Sequence, residues 1–208
     1  MSWKSHIYQN IRFTELEIIR RNFTEKHQRG CLYGDLLASE PLPTFTAGRG
    51  ARDEDFLRKK TGTDIVHVGR GGQWTYHGPG QIVIYPIVSL KRVSGSSRKV
   101  SWFLNRFRQA IAEGLSHVGV NTTGKEKPFG LYVGEKKIAS FGVSVEKGVL
   151  SHGVAIYGSD QSQPFRNIHP CGAPKLEFTS VEQEVGTFDW GQLHQTLLSK
   201  IEIALPIL

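Results

Sequence analysis

Apolar positions along the chain change period several times, and each change marks an element. From 14 to 29, Leu16, Ile19 and Phe23 fall three and four residues apart before Gly30, the spacing of an amphipathic helix with a glycine stop. Short strands are predicted over 35–39 and 44–47, either side of Glu40-Pro41-Leu42-Pro43. The β-branched runs 64–68 (DIVHV) and 81–88 (QIVIYPIV) predict clearer strands, with a glycine-dense stretch between them. The most regular helical pattern is 101–118, where Phe103, Phe107, Ile111 and Leu115 repeat every four residues up to Gly119. Strand-like runs at 131–133, 137–146 and 149–157 are joined at Gly134-Glu135 and Lys147-Gly148, which predicts an antiparallel meander. A last helix over 190–203 carries Leu193, Leu197 and Ile201, with Asp189 as its N-cap. The polar stretch 92–99 predicts a mobile loop, and 176–179 reads as strand-like.

Strands outnumber helices and do not alternate with them, so the fold class expected is α+β, with mixed or antiparallel sheets packed by helices. At 208 residues and 38% hydrophobic, the chain suits one domain, 1–208, with an ample core. No apolar run reaches the ~20 residues of a membrane span. The charged N-terminal stretch lacks the apolar segment of a secretion signal, so a cytoplasmic location, no membrane partner and a monomer are expected. The net charge of +7 suits an acidic partner. Basic residues fall in short clusters, so a solvated basic face, or one that docks an acidic protein, is expected rather than nucleic-acid binding.

Two segments concentrate chemistry. In RGGQWTYHGPGQ, residues 70–81, glycines let the backbone approach a ligand while Arg70, Gln73, Tyr76 and His77 could line a pocket; a rigid connection between strands is the plainer reading. It lacks the spacing of a phosphate-binding or dinucleotide loop. In Pro170-Cys171-Gly172 a cysteine sits in a tight turn, where a thiol is exposed and the Gly172 amide is a candidate oxyanion donor. Cys31, between Gly30 and Leu32, reads as an inert small hydrophobe. A nucleophilic cysteine needs a proton partner, and His169, His152, His77 and Lys137 are open choices, so a Cys-His thioesterase competes with other readings. Lys137 opens an apolar strand, where desolvation favours its amine and a thiolate favours its ammonium.

Together these segments resemble the octanoyltransferases of lipoic acid synthesis. The family's RGGxxTYHGPGQ box is similar to residues 70–81, its K-I-A-x-x-G strand to 137–142, its H-G pair to His152-Gly153 and its P-C-G turn to 170–172. The resemblance implies the fold shared with biotin and lipoate protein ligases. It also implies octanoyl transfer from acyl carrier protein to lipoyl domains of 2-oxoacid dehydrogenases and to the glycine-cleavage H protein, typically acidic partners for which docking on Arg49, Arg52 and Arg58 to Lys60 is expected. By motif, Cys171 is then the thioester nucleophile and Lys137 the group that lowers its pKa. Substrate binding falls to Arg70, Gly71, Gly72, Gln73, Trp74, Thr75, Tyr76 and His77, to Ser140, Phe141 and Gly142, and to Gly153, Val154 and Ala155. No metal and no cofactor are expected, since a thioester donor needs no ATP; an ATP-dependent lipoate ligase is the reading of the same fold that would. Two positions depart from the family: His169 stands where relatives carry asparagine, and Trp74, where a smaller residue is common, is expected to narrow the acyl pocket.

Overall fold

The computed structural model describes residues 2–57 and 62–208, and of Cys171 the backbone alone. The expected docking cluster Arg58 to Lys60 and the expected thiol chemistry of Cys171 therefore lie outside the described residues. Ten strands and six α-helices are present among the described residues: β1 (Trp3–Ile11), α1 (Phe13–Gln28), β2 (Gly34–Pro41), β3 (Thr44–Ala47), β4 (Asp64–His67), β5 (Trp74–His77), β6 (Gln81–Ser89), α2 (Leu90–Ser94), α3 (Val100–Ser116), β7 (Thr123–Glu126), β8 (Phe129–Val133), β9 (Lys136–Glu146), β10 (Val149–Tyr157), α4 (Ser162–Phe165), α5 (Val181–Val185) and α6 (Trp190–Ala204). The class is α+β, as the element pattern predicts.

A seven-stranded mixed sheet runs β1-β2-β6-β10-β9-β8-β7, and a three-stranded sheet runs β4-β3-β5. The predicted meander forms the antiparallel series β7 to β10. β6 lies inside the large sheet and is covered on both faces, which explains its near-continuous apolar sequence. Ile82, Ile84 and Val88 join a cluster with Phe103, Phe107 and Ile111 of α3 and Leu193 and Leu197 of α6. Val83, Tyr85 and Ile87 face Phe13 and Leu16 of α1. The small sheet has an aromatic cluster of its own, Phe45, Phe56, Trp74, Tyr76, Tyr157 and Phe165. At the sheet edge, Trp3 covers Gly34 so closely that a Cβ there would sit 2.3 Å from the indole, and the Trp3 Nε1 donates to Leu205 O at 2.8 Å.

Three sequence expectations change. Residues 92–99 are helical at their start, because Ser94 of α2 hydrogen-bonds back to Leu90 O and Gly95 ends the turn at φ 73°. The 176–179 run forms no strand, only a bridge from Phe178 to Lys137. The glycine-rich box contains β5, paired antiparallel with β3.

Candidate active site

The two sheets meet around a cavity of about 50 Å3, several times the room that one water needs. Arg70, Gly72, Gln73, Trp74, Thr75 and His77 line it from the glycine-rich segment, Ser140 to Gly142 from β9, Gly153 to Ala155 from β10, and Tyr85 from β6. Gly71 and Tyr76, also expected to bind substrate, stand outside it. Alternation along β5 turns the Tyr76 ring into the aromatic cluster, 5.3 Å from Phe45. Gly71 instead fixes the loop, its N–H donating to Val143 O at 3.0 Å.

Glycine is required where the elements close on one another. A Cβ on Gly153 would lie 2.1 Å from Ile84 O, and one on Gly142 would lie 3.0 Å from Gly71 O. Arg70 is buried, and its guanidinium binds its own neighbourhood: Nη2 donates to Thr46 O and Oγ1, and Nη1 donates to Gly71 O and Gln73 O. It therefore holds the loop in shape. Trp74 lines the cavity from one side, while its ring packs on Phe56 at 4.6 Å and its Nε1 donates to Arg52 O at 2.8 Å.

His77 stacks on Phe13 with ring centroids 4.9 Å apart, and its Nδ1 lies 3.3 Å from Gln81 Oε1. Burial, reinforced by the nearby Arg70 charge, pushes its pKa down to about 3, so the ring is neutral. Burial likewise raises the Tyr85 hydroxyl well above the usual phenol range. Besides the Arg70 guanidinium, which is engaged with Thr46, Gly71 and Gln73, the cavity thus presents apolar and neutral polar groups.

His152 sits beneath the cavity floor, 5.4 Å from the Tyr85 ring, with a positive φ of 58° inside β10. Its Nδ1 lies 3.0 Å from Ser144 Oγ, and its Nε2 lies 3.3 Å from Glu17 Oε1, off the alignment of a hydrogen bond. Arg20 completes the group, donating to both Glu17 oxygens and to Ser151 Oγ. Burial holds the His152 pKa down, against Glu17. Glu17 is held below its usual range because His152 and Arg20 outweigh its own burial. Sequence reading overlooked Tyr85, Glu17 and Arg20. The available signal was an acid–base pair three residues apart beside an apolar helical stripe.

The P-C-G turn, Pro170–Gly172, is a single 3-10 turn held from several sides. Gly172 has φ 66°, and a Cβ there would lie 2.4 Å from Gln73 Oε1, so the turn leans directly on the glycine-rich loop. The Gly172 amide, expected to serve an oxyanion, already donates to His169 O at 3.1 Å. The His169 amide binds Asp55 O at 2.7 Å, and its Nδ1 lies 3.4 Å from Asp55 Oδ1. After the turn, Glu177 O accepts from the Lys137 amide and Thr179 N donates to Lys137 O. Lys137 is 1% exposed, with Nζ 5.7 Å from the Tyr132 ring centroid, and Gly130 leaves room for its stem. An open groove of about 660 Å3 begins at Ala173, beside the turn; it carries Lys127 and Lys175, together with Glu177 and a Lys125–Glu135 pair at 2.7 Å. Arg52, expected to dock an acidic partner, already pairs with Glu54 and Asp55. Among the described residues no helix is long and apolar enough to cross a membrane.

Comparison with known proteins places these features. The lipoyl protein ligase A/B catalytic domain matches residues 21–202. An octanoyltransferase of Shewanella frigidimarina is 38% identical over 143 residues, 69% of this chain and 64% of its own length. One from a Geobacter species is 36% identical over 178 residues, 85% of this chain and 83% of its own length. A solved lipoate-protein ligase A bound with ATP superposes with TM-score 0.79 at 16% identity, covering 98% of this chain and 85% of the other. The biotin protein ligase from Aquifex aeolicus with biotin and ATP gives 0.57 at 13%, covering 98% and 69%. The fold is that of the lipoate and biotin ligases.

Proposed function

The chain belongs to the lipoyl protein ligase A/B catalytic-domain family and, within it, to the octanoyltransferases, which makes it an acyl-transferring enzyme; on that premise we propose that it moves octanoyl from an acyl carrier protein to a lysine of a lipoyl domain through a thioester on Cys171. The observation that carries this reading is the burial of Lys137 on a strand whose backbone is tied to the segment following the Cys171 turn.

In the first step the Cys171 thiolate attacks the donor thioester carbonyl, and the carrier thiol leaves with a proton from Lys137. One thioester replaces another, so no ATP is consumed. In the second step the acceptor lysine amine attacks the acyl-Cys171 carbonyl, an amide forms, the thiolate is regenerated and the amine's proton passes to Lys137. The mainly apolar cavity beside Gln73 takes the acyl chain. Lys127 and Lys175 of the neighbouring groove suit an acidic carrier or lipoyl domain, a steering effect that salt weakens. Acceptors of the 2-oxoacid dehydrogenase and glycine-cleavage type, and a cytoplasmic setting, follow from the same reading.

One contact favours a second reading. His169 held against Asp55 has the base-and-orienter arrangement of a Cys-His hydrolase. Intact-mass measurement with octanoyl carrier protein separates the two. The wild type gains one octanoyl group and passes it to a lipoyl domain, Cys171→Ser gains none, and Lys137→Met folds but acylates about 10²–10⁴-fold more slowly. A gain that survives Cys171→Ser, or free octanoate released in place of transfer, overturns the proposal.

A further inference from the structure

A second group of ligand-bearing side chains converges at the far end of α1. The helix packs Phe13 on His77 and sets Glu17 against His152, and His27 lies ten residues beyond Glu17, about 15 Å along the axis. One ring nitrogen of His27, the Cys31 sulfur and a carboxylate oxygen of Asp35 all lie within 4.8 Å of one another. His6 Nε2 touches the same carboxylate, 2.8 Å from Oδ1, and His27 Nε2 lies 2.9 Å from Oδ2.

Burial makes the cluster unusual. The side chains of Asp35 and His27 are both 0% exposed, and His27 Nδ1 has no hydrogen-bond partner among the described residues. A buried imidazole nitrogen without a partner costs about 1–3 kcal/mol, a cost that coordination of an ion would remove. The buried carboxylate takes its full positive charge from Lys26, whose Nζ sits 3.3 Å from Oδ2 on a side chain 42% exposed. That ammonium also lies over the Phe23 and Tyr33 rings, 4.9 and 4.6 Å from their centroids, and it must leave the carboxylate for a cation to enter.

We propose that His27, Cys31 and Asp35 form a three-ligand site for a zinc-class divalent ion, with His6 bracing Asp35 through its other carboxylate oxygen. Thiolate, imidazole and carboxylate together are a zinc donor set. On binding, the Cys31 thiol loses its proton to solvent, Lys26 Nζ leaves Asp35, and His27 ligates as a neutral ring. One thiolate and one carboxylate then balance the two charges of the ion, which suits a buried site. Ligand atoms around tetrahedral zinc stand about 3.3–3.8 Å apart, given bonds of about 2.0–2.3 Å, so the described separation closes by about 1 Å through the turn that carries Cys31. The proposal stands apart from the acyl-transfer reading and survives its failure.

Cobalt(II) is the first probe. Titrated into chelator-treated full-length protein, it is expected to give thiolate-to-cobalt absorption that saturates at one equivalent, persists in Cys171→Ala and vanishes in Cys31→Ser. Zinc is expected to raise the Tm of the wild type and of Cys171→Ala and to leave Cys31→Ser unmoved. In the Cys171→Ala background, maleimide labelling of Cys31 is expected to slow at least tenfold on adding zinc, a readout that does not depend on Cys31→Ser folding. Absent cobalt–thiolate absorption, absorption unchanged in Cys31→Ser, or labelling indifferent to zinc overturns the proposal.

Discussion

Lowering the pH from 7 to 4.5 is expected to destabilise the protein by about 3 kcal/mol through His77 alone. The ring is buried against Phe13 and close to Arg70, and its pKa of about 3 compares with 6.5 for a free imidazole. Between those values the unfolded chain binds a proton that the folded chain excludes, so stability rises with pH across the window and is complete above pH 6.5. At pH 4.5, two units below the unfolded value, about 1.36 kcal/mol per unit gives the loss stated. His77→Asn supplies the control, because its amide can donate to Gln81 as the ring does and does not titrate. His152, depressed in the same direction, contributes to wild type and variant alike, so the difference between them isolates His77. Urea denaturation at both pH values, followed by far-UV circular dichroism, should show the wild type losing about 3 kcal/mol more than the variant. Equal losses would refute the assignment of a buried, neutral ring.

Gly153→Ala places a methyl 2.1 Å from Ile84 O in the middle of the large sheet, where backbone cannot yield without moving the cavity wall. A loss of about 1–3 kcal/mol or more in urea midpoint is expected, together with weakened acyl transfer. Glu17→Gln removes the charge that Arg20 and His152 share beneath the cavity. With Glu17 only 13% exposed and Arg20 only 7%, a cost of about 3–5 kcal/mol is expected at neutral pH. That cost should shrink as pH falls and Glu17 of the wild type is protonated, which parallel melts of the two proteins would read.

How much was legible varied with how local the cause was. The stripes of α3 and α6 are fixed by periodicity, and the Asp189 cap by one side chain accepting from Gln192 N at 2.9 Å. β6 was legible because both of its faces are covered. β1 was not, since an edge strand carrying Lys4, His6 and Gln9 shows no apolar face until Trp3 is seen packed on Gly34. β5 was hidden by the glycines around it, although Trp74 and Tyr76 turn one way and Thr75 and His77 the other. The motifs marked most of the cavity wall in advance. They could not reveal that Arg70 ties its own loop to Thr46 of β3, that the Gly172 amide is occupied, or that Glu17 and Arg20 lie beneath His152. Those facts depend on partners tens of residues apart in sequence, or on which way a side chain turns.

The indole of Trp3 reaching Leu205 has a consequence for biosynthesis. Its partner lies 202 residues later, so this contact waits until Leu205 has left the ribosome. The face packed by α1 draws largely on residues 11 to 87, and most of it can assemble early. The opposite face needs Trp3, Leu36, α3, α6 and Ile207 together. The nascent chain therefore exposes one apolar sheet surface for most of its synthesis, and a ribosome stalled ahead of α6 would hold a half-covered sheet, the form in which chaperone capture and aggregation are expected to compete.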